Sequence, residues 1–246
     1  MNDNNIKKKL DSLYIVMPAY NEEEAIEQVV LSWYECLKGK APESRLVVAD
    51  SGSQDRTHGI LVELQKSHPQ LEILGDTLTT HGPKLIALYR YAQLKGADYI
   101  FQTDSDGQTE VSEFDAFWKK RRKYEALIGY RKKRGDGIVR KFVEKVVCFL
   151  LQIIFGVKVP DANAPYRLMK TSLVAKYCDR FREDYNLPNI MLTTFFAYYR
   201  ENVAFRIISF KARKTGTNSI HFLKIIKIGI KALADFGAFR KQMREN

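Results

Sequence analysis

The stretch "YIFQTDSDGQ" at residues 99–108 runs apolar and then ends in two acids one residue apart, Asp104 and Asp106. Residues i and i+2 of an extended chain point to the same side, so the two carboxylates face together and repel each other unless a cation lies between or beside them. Hard oxygen ligands of this kind suit Mg2+ or Mn2+, which keep open positions and bridge a diphosphate. The amide oxygen of Gln108 is a third donor. An EF-hand calcium loop does not fit, because its sixth position counted from Asp104 is Thr109, where that loop requires Gly. A second explanation stays open: Asp is common at helix N-termini, and both acids precede the helix-like stretch "TEVSEF".

Such a pair needs a rigid mount. "LYIVM" (13–17), "RLVVA" (45–49), "LEIL" (71–74) and "DYIFQT" (98–103) read as buried strands. Each is followed by a longer amphipathic or charged stretch such as "NEEEAIEQVVLSWYECL". This rhythm predicts an α/β protein with a mainly parallel central sheet flanked by helices, and ligands bind such sheets beyond the carboxyl ends of the strands. The residues there are polar: Pro18, Tyr20, Asn21 and Glu22 after the first run, Asp50 to Asp55 after the second, Asp104 to Gln108 after the fourth. No GxxxxGK[ST] loop and no GxGxxG fingerprint occurs, so the phosphates of a bound nucleotide must be neutralised in another way.

The net charge of +11 is unevenly spread. Residues 119–145 carry twelve Lys/Arg against three Asp/Glu and residues 211–246 nine against two, leaving the remainder at −5. Two basic zones on a mildly acidic body point to an anionic partner, either nucleic acid or the phosphates of a lipid surface, although solvated basic faces give the same pattern. Cys36, Cys148 and Cys178 form no metal-binding spacing, which fits a reducing compartment. The longest apolar stretch, "VVCFLLQIIFGV" at 146–157, is too short to span a bilayer. These features predict a cytoplasmic protein, peripheral on the inner face of a membrane. A shift from mixed α/β to Lys/Ile-rich sequence near 215 divides a main domain (1–215) from an amphipathic helical tail (216–246). The tail sets Lys224, Lys227 and Lys231 on one side and Phe222, Ile225, Ile226, Ile230, Leu233 and Phe236 on the other. Such a helix lies at an anionic membrane or docks on its own domain.

In combination, "VMPAYNEEEAI", "VVADSGSQDRT" and "YIFQTDSDGQ" resemble the inverting family 2 glycosyltransferases of GT-A fold. They are especially similar to the polyprenyl-phosphate sugar transferases, dolichyl-phosphate mannose synthase included, and the likeness runs from about residue 13 to 218. It implies a UDP- or GDP-sugar donor, with Pro18, Tyr20, Asn21 and Glu22 lining the nucleotide pocket and Asp50 accepting from a base N–H. Asp104, Asp106 and Gln108 would hold the metal, and Lys84 in "HGPKLIALYRYA" would approach the donor unless it is a solvated first-turn lysine. "GYRKKRGDGIVRKFVEK" resembles the family's G-S-R segment and its basic interfacial helix, making Arg131, Arg134 and Arg140 candidates to grip an acceptor phosphate. Asp161, Tyr166 and Arg167 match the Asp-x-x-x-Gly-Phe-Arg stretch, with Arg167 a further phosphate candidate, and Arg213 and Gly216 match Arg-x-x-Gly-x-Ser. The resemblance thus puts Asp106, Arg131, Asp161 and Arg213 at the reacting centre. Pro165 for Gly, Asn218 for Ser and Ser51 for Asp depart from the pattern.

The acceptor decides the mechanism. A polyprenyl phosphate is already an anion at neutral pH and needs orienting arginines rather than a base. A sugar hydroxyl needs a carboxylate base, for which Asp161 and Asp184 are the candidates. The QxxRW signature of many hydroxyl-acceptor members is missing, Trp occurring only as Trp33 and Trp118. The expectation is therefore transfer to a polyprenyl phosphate with inversion. A basic nucleic-acid-binding surface, with Tyr124 and Tyr130 between the charges, is the competing class. The sequence leaves the oligomeric state open.

Overall fold

The computed structural model describes residues 10–132, 138–212 and 222–245. Its centre is a seven-stranded sheet in the order β3-β2-β1-β4-β6-β5-β7. The strands are β1 (Leu13–Ala19), β2 (Arg45–Asp50), β3 (Leu71–Leu74), β4 (Tyr99–Thr103), β5 (Ala126–Tyr130), β6 (Tyr166–Lys170) and β7 (Val203–Ile207). The helices are α1 (Ile26–Tyr34), α2 (Thr57–Ser67), α3 (His81–Leu94), α4 (Phe114–Trp118), α5 (Ile138–Phe155), α6 (Thr171–Cys178), α7 (Pro188–Tyr198) and α8 (Phe222–Glu245).

The first four strands pair in parallel, as their alternation with helices requires. β1 is central and buried along its whole length, so it reads as an unbroken apolar run. Its side chains part to the two faces of the sheet. Leu13, Ile15 and Met17 pack with Val30, Trp33 and Phe117 on one face, and Tyr14 and Val16 with Leu85, Tyr89 and Phe196 on the other. Trp33, Phe101, Phe114 and Tyr166 form an aromatic cluster with ring centroids 4.7–6.1 Å apart and close edge-to-face packing.

The sheet is mixed rather than purely parallel beyond β4. β6 runs antiparallel to both β4 and β5, and β5 pairs in parallel with the edge strand β7. The chain therefore leaves β1, β2, β4, β5 and β7 at one rim, and it enters β6 from that same rim.

The tail does not stand apart from the rest of the chain. Ala232, Phe236 and Met243 of α8 are buried with the main core. Phe236 lies 5.9 Å from Phe155 of α5, and Phe239 lies 5.3–6.0 Å from Tyr185, Phe195 and Phe181. The composition shift near 215 thus marks a change of sequence and not of core: the C-terminal half of α8 docks on its own domain. The lysine side chains expected on the other face, Lys224, Lys227 and Lys231, lie outside the described residues.

The start of α3 is held by a close backbone approach. A Cβ on Gly82 would fall 2.5 Å from the backbone of Asn186, in the loop between α6 and α7. Gly82→Ala must push that loop away, and we expect a loss of about 1–3 kcal/mol, measured by denaturant unfolding against the wild type. An unchanged midpoint would show the contact to be loose.

Candidate functional site

The strand ends are tied to one another before any ligand is considered. After β1, Asn21 adopts a left-handed conformation (φ 53°), which Asn tolerates better than most residues. Its backbone N–H donates to Ser53 Oγ (3.0 Å), and its side-chain oxygen accepts from the Gln54 N–H (2.8 Å). Glu22 N–H donates to Thr57 Oγ1 at 2.8 Å. The loops after β1 and β2 are thereby stitched into one surface, on which Tyr20 is exposed.

Asp50, at the end of β2, is almost wholly buried and accepts two side-chain bonds, from the Ser53 hydroxyl at Oδ1 and from His58 Nδ1 at Oδ2 (3.2 Å). Beneath it lies Lys84, which the structure buries in α3 rather than leaving in solvent. Its Nζ donates to the Ala19 carbonyl (2.6 Å) and sits 5.4 Å from the centre of the Tyr20 ring. Burial pulls the ammonium below its ordinary pKa, and the nearby Asp50 charge opposes that shift. Lys84 therefore braces the β1 exit from below, within the field of Asp50.

Asp104 and Asp106 are half-buried at the end of β4. Asp104 Oδ1 accepts from Gln102 Nε2 (3.2 Å) and lies 3.4 Å from His81 Nε2 at the start of α3. Asp106 Oδ1 accepts from the Gln108 N–H at 3.1 Å. Between the two acids, Ser105 donates to the Pro18 carbonyl (2.8 Å), which locks this loop against β1. Gln108, expected as a third metal donor, is buried. Its side-chain amide donates to the Lys211 carbonyl (2.7 Å), and the Lys211 N–H returns to the Gln108 carbonyl (2.9 Å). It joins the β4 exit to the β7 exit. Among the described residues no three His, Cys, Asp or Glu side chains gather as a metal site. Two hard carboxylates on an open rim fit a divalent cation whose other ligands come from a diphosphate and water.

The third part of the rim lies beyond β5. Arg131 is buried and makes a forked pair with Asp161, Nε to Oδ2 at 2.8 Å and Nη2 to Oδ1 at 2.9 Å, while Nη2 lies 3.6 Å from Glu144 Oε2. Its guanidinium stands 5.1 Å from the ring centre of Phe210, beyond β7. Asp161, expected to face an acceptor, has both oxygens turned to Arg131. Glu144 Oε1 accepts the Ala162 N–H at 2.8 Å. Burial and the neighbouring Asp161 push the Glu144 carboxyl above the usual carboxylate range, and Arg131 opposes them.

Arg167 corrects an expectation. It is 0% exposed and donates to the Ala164 (2.8 Å) and Ala162 (2.7 Å) carbonyls, so it is not open to an acceptor phosphate. Burial lowers its pKa to about 10. Its place one residue into β6 points it into the core, where it shapes the 161–164 loop from inside. Arg140 is partly exposed on the first turn of α5. Arg134 and Arg213 lie outside the described residues.

Sequence reasoning passed over His58, His81 and Lys211, whose roles depend on loops meeting across the rim. Glu144 is a further residue that the sequence pattern does not single out. A lone acid on the inner side of a mostly apolar helix was the available signal.

The mixed sheet with carboxylates at its rim is the GT-A arrangement. The structure superposes on glucosyl-3-phosphoglycerate synthase from Mycobacterium tuberculosis, solved with Mn2+, UDP-glucose and phosphoglyceric acid, with a TM-score of 0.67 at 17% identity over 94% of this chain and 79% of that one. The chain belongs to glycosyl transferase family 2, whose family model matches residues 14–178. Similar curated proteins include an undecaprenyl-phosphate 4-deoxy-4-formamido-L-arabinose transferase of Photorhabdus laumondii, 22% identical over 90% of this chain and 66% of that protein. A dodecaprenyl-phosphate galacturonate synthase of Rhizobium johnstonii is 27% identical over 66% of this chain and 48% of that protein. The chain thus spans about two thirds or less of the length of these relatives.

The raised Glu144 gives a pH prediction. A carboxyl whose pKa is higher in the folded state binds more protons folded than unfolded, so stability falls as pH rises from the ordinary carboxylate range through the raised value. Denaturant unfolding between about pH 4 and 8 should show a smaller loss for Glu144→Gln than for the wild type. Parallel curves would mean that Glu144 titrates as an ordinary surface acid.

Proposed function

We propose that this protein is a metal-assisted inverting glycosyltransferase that moves a sugar from a UDP- or GDP-sugar to a polyprenyl phosphate at the cytoplasmic face of a membrane. The observation that carries the reading is the shared rim: the Asp104/Asp106 pair at the end of β4 and the Arg131 cluster at the end of β5 open to the same side of one sheet. The names of the polyprenyl-phosphate relatives support the acceptor class, and the UDP-glucose and Mn2+ of the M. tuberculosis enzyme support the donor and cation classes.

In this reading Tyr20, Asn21 and Asp50 receive the nucleoside, Asp50 accepting a base N–H, while Ser53, His58 and Lys84 hold the carboxylate and the β1 exit in place. Asp104 and Asp106 would hold Mg2+ or Mn2+, which supplies positive charge to the departing diphosphate. The acceptor phosphate approaches the basic side of the rim, where Arg131 and Arg140 orient it; the family resemblance adds Arg134 and Arg213, which lie outside the described residues. A phosphate oxygen attacks the anomeric carbon from the side opposite the leaving group and inverts it. The chain supplies alignment and electrostatics and no general base. A hydroxyl acceptor would need such a base, yet Asp161 is committed to Arg131 and Asp184 is paired with Arg182 at 2.7 Å. A nucleic-acid-binding reading leaves the acidic part of the rim without a role.

Membrane contact fits the outer side of α5. Phe142, Val146, Phe149 and Ile153, at helical spacing, are 65, 39, 60 and 60% exposed, and Lys141 and Lys145 are exposed beside them. An apolar stripe bordered by lysines suits the headgroup boundary of an anionic bilayer. No helix among the described residues is long and apolar enough to cross a membrane.

Two experiments test the reading. Thermal-shift measurements with UDP- and GDP-sugars should show stabilisation by one nucleotide class that grows with Mn2+, and Asp106→Ala should abolish the metal dependence while leaving the unliganded melting temperature unchanged. A metal response that survives in that variant removes the site. Sedimentation with anionic liposomes at low salt should capture the wild type, and Phe149→Asp should weaken capture by about tenfold, since burying a charge in place of a phenyl ring costs more than 1.4 kcal/mol. Equal capture would place the membrane contact elsewhere.

A further inference from the structure

Glu144 has two neighbourhoods. Its helix, α5, turns Phe142, Val146, Phe149 and Ile153 outward, while Leu151 and Phe155 are buried on the inner side. Glu144 also points inward, with one oxygen accepting the Ala162 N–H (2.8 Å) and the other 3.6 Å from Arg131 Nη2. Cys148, one turn on, lies 3.5 Å from the first of these oxygens. A single side chain thus bridges the helix, the loop leading into β6 and the arginine at the end of β5.

The charge balance at this bridge is unusual. Arg131 is already in a forked pair with Asp161. A second, ionised carboxylate would tip this buried cluster towards negative charge and repel an arriving phosphate. Burial and Asp161 both act against ionisation of Glu144 and Arg131 favours it, which leaves the carboxyl above the usual carboxylate range. It accepts from Ala162 and links α5 to the Arg131–Asp161 pair.

We infer that Glu144 is a positioning residue for the acceptor: it ties the outward-facing helix α5 to Arg131 and the 161–164 loop, so that seating α5 on a lipid surface and presenting Arg131 to a lipid phosphate are one mechanical event. The inference rests on the proposed polyprenyl-phosphate acceptor and adds to it a residue that the family resemblance did not single out. Asp161 orients Arg131 from the sheet side and Glu144 from the helix side. The other charged group beside the pair is Arg167, held in the core by carbonyls.

The test compares the full-length wild type, Glu144→Gln and Glu144→Ala, with a polyprenyl phosphate in anionic vesicles and the donor sugar-nucleotide plus Mn2+. Glu144→Gln keeps a neutral acceptor for the Ala162 N–H and should hold the KM for the lipid within about twofold of wild type, whereas Glu144→Ala should raise it by about tenfold, the effect of one lost hydrogen bond to a buried group. In both variants kcat at saturating lipid and the thermal stabilisation by donor and Mn2+ should stay near wild type, which separates acceptor positioning from general damage. If Glu144→Ala fails to fold, Glu144→Asp takes its place. One methylene shorter, it cannot span Ala162 and Arg131 together, and it should show the same rise in KM. An unchanged KM in the shortened variants, or Glu144→Gln as impaired as Glu144→Ala, overturns the inference. Wild type that transfers nothing to the lipid phosphate overturns the functional reading and this inference with it, whereas wild-type transfer with unaffected variants overturns the inference alone.

Discussion

Strand β6 enters the sheet against the direction of both its neighbours, and the candidate site depends on that reversal. Because β6 starts at the rim where β4 and β5 end, the loop before it brings Asp161 level with Arg131. With β6 parallel to its neighbours, that loop would lie at the opposite edge of the sheet and Arg131 would lose its partner. The pairing also explains why a short strand carries a fully buried arginine. Arg167 costs desolvation, and the structure offsets this with carbonyls of the same loop whose conformation it enforces.

Buried cations recur as internal braces. Lys84 under the β1 exit and Arg167 under the 161–164 loop both donate to backbone carbonyls, and each lies beneath a part of the rim that carries candidate site residues. A buried charge of this kind is weak evidence for stability, because removing its solvation costs about as much as the new bonds return. Its effect here is on conformation: Lys84 Nζ is held by the Ala19 carbonyl and Arg167 Nε and Nη2 by the Ala164 and Ala162 carbonyls, which pins those backbone segments. The acids at the rim are therefore presented on backbone that is already fixed, which is the condition for electrostatic assistance without reorganisation during the reaction.

The two basic zones have different fates. Charge on the first half of α5 flanks an exposed apolar stripe on the same helix whose Glu144 lies against Arg131. Residues of the C-terminal zone lie on α8, whose second half is fastened to the core through Phe236 and Phe239. A helix pattern with one apolar and one basic side is compatible with either outcome, and only the presence of Phe155, Tyr185 and Phe195 at the right distance decides for docking.

The amino-acid sequence by itself determined the first half of the sheet and its polar rim. Buried parallel strands are continuous apolar runs, and Asp50, Asp104 and Asp106 follow them directly, so local pattern alone places them at the rim. It did not reveal β5, β6 and β7: "YRLMK" and "VAFRI" carry an arginine among their apolar residues, and "ALIGY" lies between two basic runs outside the strand–helix alternation. Nor did it distinguish Arg131 at the rim from Arg167 in the core, or show that Lys84 lies below Tyr20. Those assignments depend on tertiary contacts: Arg131 meets Asp161 30 positions on, and Lys84 meets Ala19 65 positions back. Long-range pairing sets burial, and burial sets both the charge state and the reach of each side chain.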